Sequence, residues 1–162
     1  MQLITPQTKY ALVKNFQEKA VSKLNLLISV EEDGKYGYEN AAENVEDGFL
    51  KRTFLRFARQ RASYSSRLQI FVKNIGGILY NEGESLESLH CLWDIKSVAA
   101  SKDKNVLINA CKTAEAAALK VYKEALQDEC ITGIVKGIIF EQMKGIEYAL
   151  RSITVLTRQT TY

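Results

Sequence analysis

Two glutamates occupy inward-facing positions on predicted helices, and carboxylates in a helical core are the clearest candidates for chemistry in this chain. Glu31 and Glu115 each fall on a seam, by which we mean the line of core-facing positions along one helix. Oxygen ligands alone can hold hard ions such as Mg²⁺ and Ca²⁺. A di-iron centre in a four-helix protein needs more, namely one Glu from each of two helices and a Glu-x-x-His pair from each of the other two.

The other inward polar residues do not complete a di-iron site. On the second predicted helix the inward residues spaced three apart are Arg61 and Tyr64, and on the fourth they are Gln142 and Gly145. The one histidine of the chain, His90, falls between the second and third helices. A guanidinium is permanently charged and has no lone pair, so Arg61 would repel a metal ion. We therefore expect no di-iron centre and no cofactor.

An all-carboxylate site for Mg²⁺ or Ca²⁺ stays open, because hard ions do not need nitrogen or sulfur ligands. An atypical oxidoreductase or metal-binding protein could be built around it. The candidate ligands are Glu31, Asp33, Glu39 and Glu115.

We interpret the same residues as a buried ion-pair network. Arg61 would lie at the level where Glu31 and Glu115 project from neighbouring helices, and a charge in a core is costly unless it is paired. The planar guanidinium of Arg61 could bind one or both carboxylates. The remaining hydrogen bonds would come from Tyr64, Tyr122 and Gln142. The alternative is that both glutamates flank the core and reach solvent, as most glutamates do.

A basic stripe on the outward face of the second helix could contact nucleic acid or an acidic partner. It consists of Arg52, Arg56 and Arg59, with Lys51 and Lys73 near its margins. No aromatic residues alternate with these basic ones, as a groove for single strands would require. The net charge of +3, from 22 basic and 19 acidic residues, is also far from the balance of a dedicated nucleic-acid binder. We therefore expect a solvated helix face.

Cysteine and tyrosine side chains offer weaker candidates. Cys91 follows His90, but adjacent residues on a helix do not face each other, so we expect Trp93 to pack against the bundle instead of an activated thiol. The three cysteines include no C-x-x-C pair, and their odd number favours reduced thiols. Four tyrosines are expected to cluster as hydrogen-bonded core residues near the middle of the bundle: Tyr36, Tyr38, Tyr64 and Tyr122.

Four long helices would position these side chains, each predicted from core-facing residues that alternate in steps of three and four. The first seam contains Ala20, Leu24, Leu27, Glu31, Gly34, Tyr38, Ala41 and Val45. The second contains Leu50, Phe54, Phe57, Arg61, Tyr64, Leu68, Phe71 and Ile75. The third has two equally good versions, either Ile108, Cys111, Glu115, Ala118, Tyr122 and Ala125 or Leu107, Cys111, Ala114, Ala118 and Val121. The fourth contains Val135, Ile139, Gln142, Ile146, Ala149, Ile153 and Leu156.

The breaks between helices predict the topology. Short breaks at 46–48 and 128–133 make two antiparallel hairpins. Gly76 and Gly77 end the second helix, and the third begins near Asp103. Since a helix of about 28 residues measures about 42 Å, the long connection can run the length of the bundle, with a short helix at 86–99 capped by Ser85. The prediction is an all-α, ferritin-like four-helix bundle of two antiparallel hairpins joined by a long crossover that contains a short helix.

Length and composition predict one domain. The chain has 162 residues, 46% hydrophobic and 25% charged, and contains one proline. We expect the bundle over 20–158 and an N-terminal helical arm or extension over 1–19, which Thr5 and Pro6 would begin. No stretch approaches the ~18 apolar residues of a membrane span, and the N-terminus lacks a secretory pattern. We expect a cytoplasmic protein without membrane contact.

Several sequence strings resemble a known family. They are Leu24-Asn25-Leu26-Leu27, Asp33-Gly34-Lys35-Tyr36-Gly37-Tyr38-Glu39, Gln60-Arg61-Ala62 and Glu115-Ala116-Ala117-Ala118-Leu119-Lys120-Val121-Tyr122. In this order and spacing, over roughly residues 20 to 155, they are similar to a bacterial ferritin-like family known as domain of unknown function 2383. The resemblance implies a four-helix bundle and no settled activity.

These observations favour a non-enzymatic protein that works by assembly or by binding a partner. Bundles pair readily through helix faces, and the N-terminal arm could embrace a neighbour, so we expect a homo-oligomer. The identity of any protein partner is left open, and nucleic acid is not expected to bind.

Overall fold

The computed structural model describes residues 3–80 and 101–159, which form four α-helices and no strand. The helices are α1 (Pro6–Asn44), α2 (Gly48–Asn74), α3 (Lys104–Gln127) and α4 (Gly133–Gln159). The predicted all-α four-helix bundle is therefore confirmed. Residues 81–100 lie outside the described part, and with them the predicted short helix, its cap Ser85, and the side chains of His90, Cys91 and Trp93.

Side-chain caps fix where three of the helices begin. The Thr5 hydroxyl accepts a hydrogen bond from the Thr8 amide at 3.2 Å. The Asp47 carboxylate accepts from the amide of Leu50 at 3.0 Å, and Asp103 caps α3 in the same manner. Such caps satisfy amides that have no partner within the helix. Polar residues next to the apolar seams thus set the boundaries.

Two glycines end α2, as predicted. Gly76 has a φ of 74°, a left-handed conformation that costs a glycine little. The amide of Gly77 then donates to the carbonyl of Val72 at 2.9 Å, and that of Gly76 donates to Lys73 at 3.0 Å. This pair of bonds is the Schellman motif. The chain therefore turns away from the helix axis immediately after Ile75.

The packing partners define the topology. α1 packs against α2 and α3, and α4 packs against α3 and α2. One core cluster joins Tyr38 and Val45 to Leu107, and the other joins Leu24 to Tyr122. The residue order therefore runs in opposite directions along α1 and α3, so that α2 ends and α3 begins at opposite ends of the bundle. This is the connectivity of bundles with one long crossover.

The predicted seams face the core. Every member of the seams in α1, α2 and α4 is buried or half-buried. In α3 the version through Glu115 and Tyr122 is buried throughout, whereas Val121 of the other version is only half-buried. Tyr36 does not join the expected tyrosine cluster, because it is exposed on α1. It lies two residues from Tyr38, a rotation of about 200° around the helix axis.

The first turns of α1 are exposed, and from them the Gln17 side chain donates a hydrogen bond to the Ile75 carbonyl at the end of α2, at 2.6 Å. Residues 3–19 are all exposed, and burial begins at Ala20. We call residues 6–19 the overhang. It is continuous with the rest of α1, in one helix that begins at Pro6.

Candidate functional site in the bundle core

Arg61 and Glu115 form a buried ion pair at the middle of the bundle. One amino group of Arg61, Nη2, lies 2.6 Å from both carboxylate oxygens of Glu115. Each of the two side chains is 2% exposed. The Tyr38 hydroxyl also donates a hydrogen bond to Glu115 Oε1. Glu115 is thereby held by donors from α1 and α2, and such charge-assisted bonds are stronger than neutral ones.

Glu31 sits beside this pair without a comparable partner. It is 0% exposed, and its Oε2 lies 3.7 Å from Arg61 Nη1, which is too far for a hydrogen bond. Among the described residues, neither carboxylate oxygen of Glu31 nor Arg61 Nη1 has a hydrogen-bond partner. A cavity of about 10 Å³ lies between them, lined also by Gly34 and Ala118. A space of roughly this size holds one water molecule, which could bridge the two groups.

Burial and charge set the protonation of this cluster. Burial raises the pKa of Glu31 from 4.5 to about 7, and the nearby Arg61 guanidinium and Tyr122 hydroxyl only partly oppose that rise. Burial lowers the pKa of Arg61, but Glu115 and Glu31 outweigh it and raise that pKa above its usual value. One guanidinium faces two carboxylates, so a proton on Glu31 leaves the cluster without net charge.

Glycine on α1 makes room for Arg61. A Cβ placed at Gly34 would lie 3.3 Å from both Cγ and Cδ of Arg61, which is closer than ordinary van der Waals contact. The stem of Arg61 thus lies directly on the α1 backbone, one turn after Glu31. This close approach brings its guanidinium between α1 and α3.

A second network lies next to the ion pair. The Tyr122 hydroxyl donates to Gln142 Oε1 at 2.8 Å, and Gln142 Nε2 donates to the backbone carbonyl of Tyr64 at 3.2 Å. The Arg61 guanidinium carbon lies 5.7 Å from the centre of the Tyr64 ring. All six core residues singled out from the sequence therefore lie together, but Tyr122 and Gln142 bind each other instead of the ion pair. The sequence did not predict Tyr38 as a Glu115 donor, because Tyr38 lies on the same seam as Glu31 but about two helical turns further along α1.

The donors do not fit the di-iron centre that the predicted ferritin-like bundle would hold. The Arg61 guanidinium occupies the space between the two carboxylates, and Gln142 stands where α4 would supply a ligand pair. Within residues 3–80 and 101–159, no three His, Cys, Asp or Glu side chains come together as a metal site needs. Glu39 of the all-carboxylate alternative instead pairs with Lys35 at 3.6 Å on the surface.

The other candidates lie apart from this cluster. Arg52, Arg56 and Arg59 are exposed on α2, and the Arg56 guanidinium carbon lies 5.2 Å from the Phe57 ring centre. Burial raises the pKa of the Cys111 thiol well above its usual value, which opposes formation of a thiolate.

A pair of glycines on α4 provides a test of the Tyr64 packing. A Cβ at Gly145 would overlap the Tyr64 hydroxyl and lie 2.9 Å from its Cζ, whereas a Cβ at Gly137 meets nothing within 4 Å. We expect Gly145→Ala to lower the free energy of unfolding by about 1–3 kcal/mol through overpacking. Gly137→Ala should raise it by up to about 1 kcal/mol, because alanine favours a helix. Urea unfolding followed by circular dichroism measures both, and equal effects of the two substitutions would contradict the packing of Tyr64 on Gly145.

Comparison with known proteins supports the sequence resemblance. The family model described as Domain of unknown function (DUF2383) matches residues 19–128. The match begins where the overhang ends and stops after α3, so α4 lies outside it, short of the expected limit near residue 155. No curated protein matches the chain. In the part of the chain that the structure describes, no helix is long and apolar enough to cross a membrane.

The match covers more than half of the 162 residues and includes α2, α3 and most of α1. It contains Glu31, Arg61 and Glu115, so the ion-pair cluster lies wholly inside the matched region. The chain belongs to the family described as Domain of unknown function (DUF2383).

Proposed function

We propose that this chain is a non-enzymatic bundle that works by assembly or by binding a partner. The observation that carries the proposal is the Arg61 guanidinium between Glu31 and Glu115, at 2.6 Å from both oxygens of Glu115. The Arg61 guanidinium, a permanent cation, already binds the Glu115 carboxylate that a metal ion would need as a ligand. It supplies no lone pair and no exchangeable coordination position of its own.

The surroundings of the cluster support the same proposal. Glu31, Arg61 and Glu115 are buried, and the cavity beside them has room for about one water molecule and not for an organic substrate. Core tyrosines next to the cluster are hydrogen-bonded and have raised pKa values, Tyr122 because of its burial and the nearby Glu31. A group with such a pKa is a poor proton donor near neutral pH.

Metal content and redox turnover test the proposal. Protein purified without a chelator, loaded with Fe²⁺, Mn²⁺ or Mg²⁺ and then dialysed, is expected to retain far less than one ion per chain. It should also consume oxygen and peroxide no faster than buffer does. The reason is that the cluster already contains its counter-cation, so that a divalent ion would have to displace a buried guanidinium.

Two neighbouring glutamates supply the control for that experiment. Glu31 faces the core cluster, whereas Glu32 is exposed and accepts hydrogen bonds from Ser65 and Gln69 on α2. Retention of about one or two ions per chain that Glu31→Gln abolishes and Glu32→Gln leaves intact would contradict the proposal. In that case the oxygen-ligand alternative around Glu31 and Glu115 would be the better interpretation.

A further inference from the structure

We propose that the cavity between Glu31 and Arg61 is a binding site for one water molecule, which accepts a hydrogen bond from Arg61 Nη1 and also bonds the Glu31 carboxyl group. The inference rests on the proposed function, because it assigns a neutral molecule instead of a metal ion to the core cluster. The cavity measures about 10 Å³, close to the smallest space that holds a water molecule. Such a water also needs at least two polar partners, and these two side chains supply them.

The side chains on either side of the cavity have polar atoms without a partner. Glu31 is 0% and Arg61 2% exposed, and among the described residues both oxygens of Glu31 and Nη1 of Arg61 make no hydrogen bond. Gln142 Nε2 donates to the Tyr64 carbonyl, so its Oε1 takes the single proton of the Tyr122 hydroxyl, which is then not donated to Glu31. Buried polar groups in folded proteins are almost always bonded to protein or to ordered water.

Two contacts keep Arg61 from closing the gap by itself. Its Nη2 lies 2.6 Å from both oxygens of Glu115, and its stem lies against the α1 backbone at Gly34. Its Nη1 therefore stays 3.7 Å from Glu31 Oε2. Two atoms at that separation can both lie at an ordinary hydrogen-bond distance of about 2.8 Å from a third atom. A water oxygen thus bridges the gap while Arg61 remains bound to Glu115.

The lining of the cavity favours water over an empty space and over a cation. Cavities lined by apolar side chains stay dry, whereas a guanidinium and two carboxyl groups border this one. A monovalent cation such as K⁺ would face the Arg61 guanidinium, which is itself a cation and has no lone pair. Burial also raises the pKa of Glu31 to about 7, so that near neutral pH its carboxyl group carries a proton in many molecules and attracts a cation less.

Crystallography of the full chain tests the site directly. We expect one ordered peak of electron density within about 3.2 Å of both Arg61 Nη1 and a Glu31 oxygen. Crystals soaked in rubidium chloride should show no anomalous peak there, because Rb⁺ replaces K⁺ and not water. A rubidium peak would overturn the inference. So would a direct hydrogen bond between Arg61 and Glu31 with no density between them.

Two substitutions of nearly the same shape test the site in solution. Ala118 lines the cavity from α3. The hydroxyl of Ala118→Thr can take the place of the water, whereas Ala118→Val displaces the water and leaves Glu31 and Arg61 without a partner. We expect the folding equilibrium constant, measured by urea unfolding, to be at least about tenfold larger for the threonine variant. Ala125, buried on α3 among apolar residues, is the control, since there valine should be the more stable of the two.

The outcomes separate this inference from the proposed function. If Ala118→Val is as stable as Ala118→Thr or more so, the cavity is dry and the inference is wrong. The crystals of the native chain decide the question even where neither variant folds. A dry cavity leaves the proposed function standing, because Arg61 still binds Glu115. Failure of the proposed function appears instead as retained metal ions, which neither the rubidium soak nor the Ala118 variants measure.

Discussion

Arg61→Met should lower the free energy of unfolding at pH 7 by about 3–5 kcal/mol, the loss usual when one member of a buried ion pair is removed. Methionine keeps much of the stem that packs on Gly34, so the change removes mainly the charge and its hydrogen bonds. Among the described residues, Glu115, which is 2% exposed, would then keep only the Tyr38 hydroxyl as a donor. Glu31 would lie near it without any cation. Urea unfolding followed by circular dichroism measures the loss.

Arg56 provides the matched control on the same helix. It is exposed, and its guanidinium carbon lies over the Phe57 ring at 5.2 Å. Arg56→Met should therefore change the stability by less than about 1 kcal/mol. The double variant Arg61→Met/Glu115→Gln should regain part of the loss, because it removes the buried charge that the single variant leaves unpaired. A loss below about 1 kcal/mol for Arg61→Met would contradict the buried pair, since surface pairs contribute that little.

The buried cluster of Arg61, Glu115 and Glu31 also favours one relative position of the helices along their axes. Arg61 belongs to α2, Glu115 to α3 and Glu31 to α1, so a shift of any of these helices along its axis would separate buried charges. Buried ion pairs add little net stability compared with apolar residues, but a misplaced buried charge is strongly unfavourable. We infer that the cluster fixes the positions of α1, α2 and α3 along their axes relative to one another.

Much of this arrangement could be predicted from spacing alone. Steps of three and four residues define a helix face, and the order of the helices defines the level at which Glu31, Arg61 and Glu115 meet. Spacing does not determine which of two neighbouring carboxylates a long side chain such as that of Arg61 will bind. Arg61 lies against Gly34 of α1 but directs its amino group to Glu115 of α3. Glu115 therefore forms hydrogen bonds with Arg61 and Glu31 does not. This difference depends on side-chain packing and could not be predicted from the sequence.

The ambiguous seam of α3 has a geometric explanation. Both versions share Cys111 and Ala118, and the buried face of α3 also includes Leu107 and Ala114 together with Glu115. This helix packs against α1 on one side and α4 on the other. A helix between two neighbours buries a wide face, so two overlapping apolar patterns appear in its sequence. Tyr36 shows that closeness in sequence does not predict burial. It lies two residues from the buried Tyr38 but is itself exposed.

Stability should fall by about 3 kcal/mol as the pH rises from 4.5 to about 7, because of Glu31. Burial raises its pKa in the folded chain to about 7, against 4.5 when it is exposed. Between these values the folded state binds more protons than the unfolded state, so the free energy of unfolding decreases with rising pH. The stabilisation is complete below pH 4.5, and each unit of pKa difference corresponds to about 1.4 kcal/mol.

Other shifted groups titrate outside this window. The pKa values of Asp47 and Asp128 are lowered mainly by backbone hydrogen bonds, so their effects appear at more acidic pH. Burial raises the pKa values of Tyr38 and Cys111, whose effects appear at alkaline pH. Among the groups with a shifted pKa in residues 3–80 and 101–159, the interval from pH 4.5 to 8 therefore reports chiefly on Glu31.

Glu31→Gln should flatten this dependence and leave the chain at pH 8 as stable as the native protein or more so. The amide keeps the shape of the protonated acid and carries no charge, so it avoids the ionisation that the buried site disfavours. Glu32→Gln, one residue away on the exposed face, should keep the native slope. Urea midpoints at half-unit steps of pH compare the three proteins. Parallel curves for the native chain and Glu31→Gln would mean that Glu31 ionises near its ordinary pKa, and hence that Arg61 divides its charge between both glutamates instead of pairing with Glu115 alone.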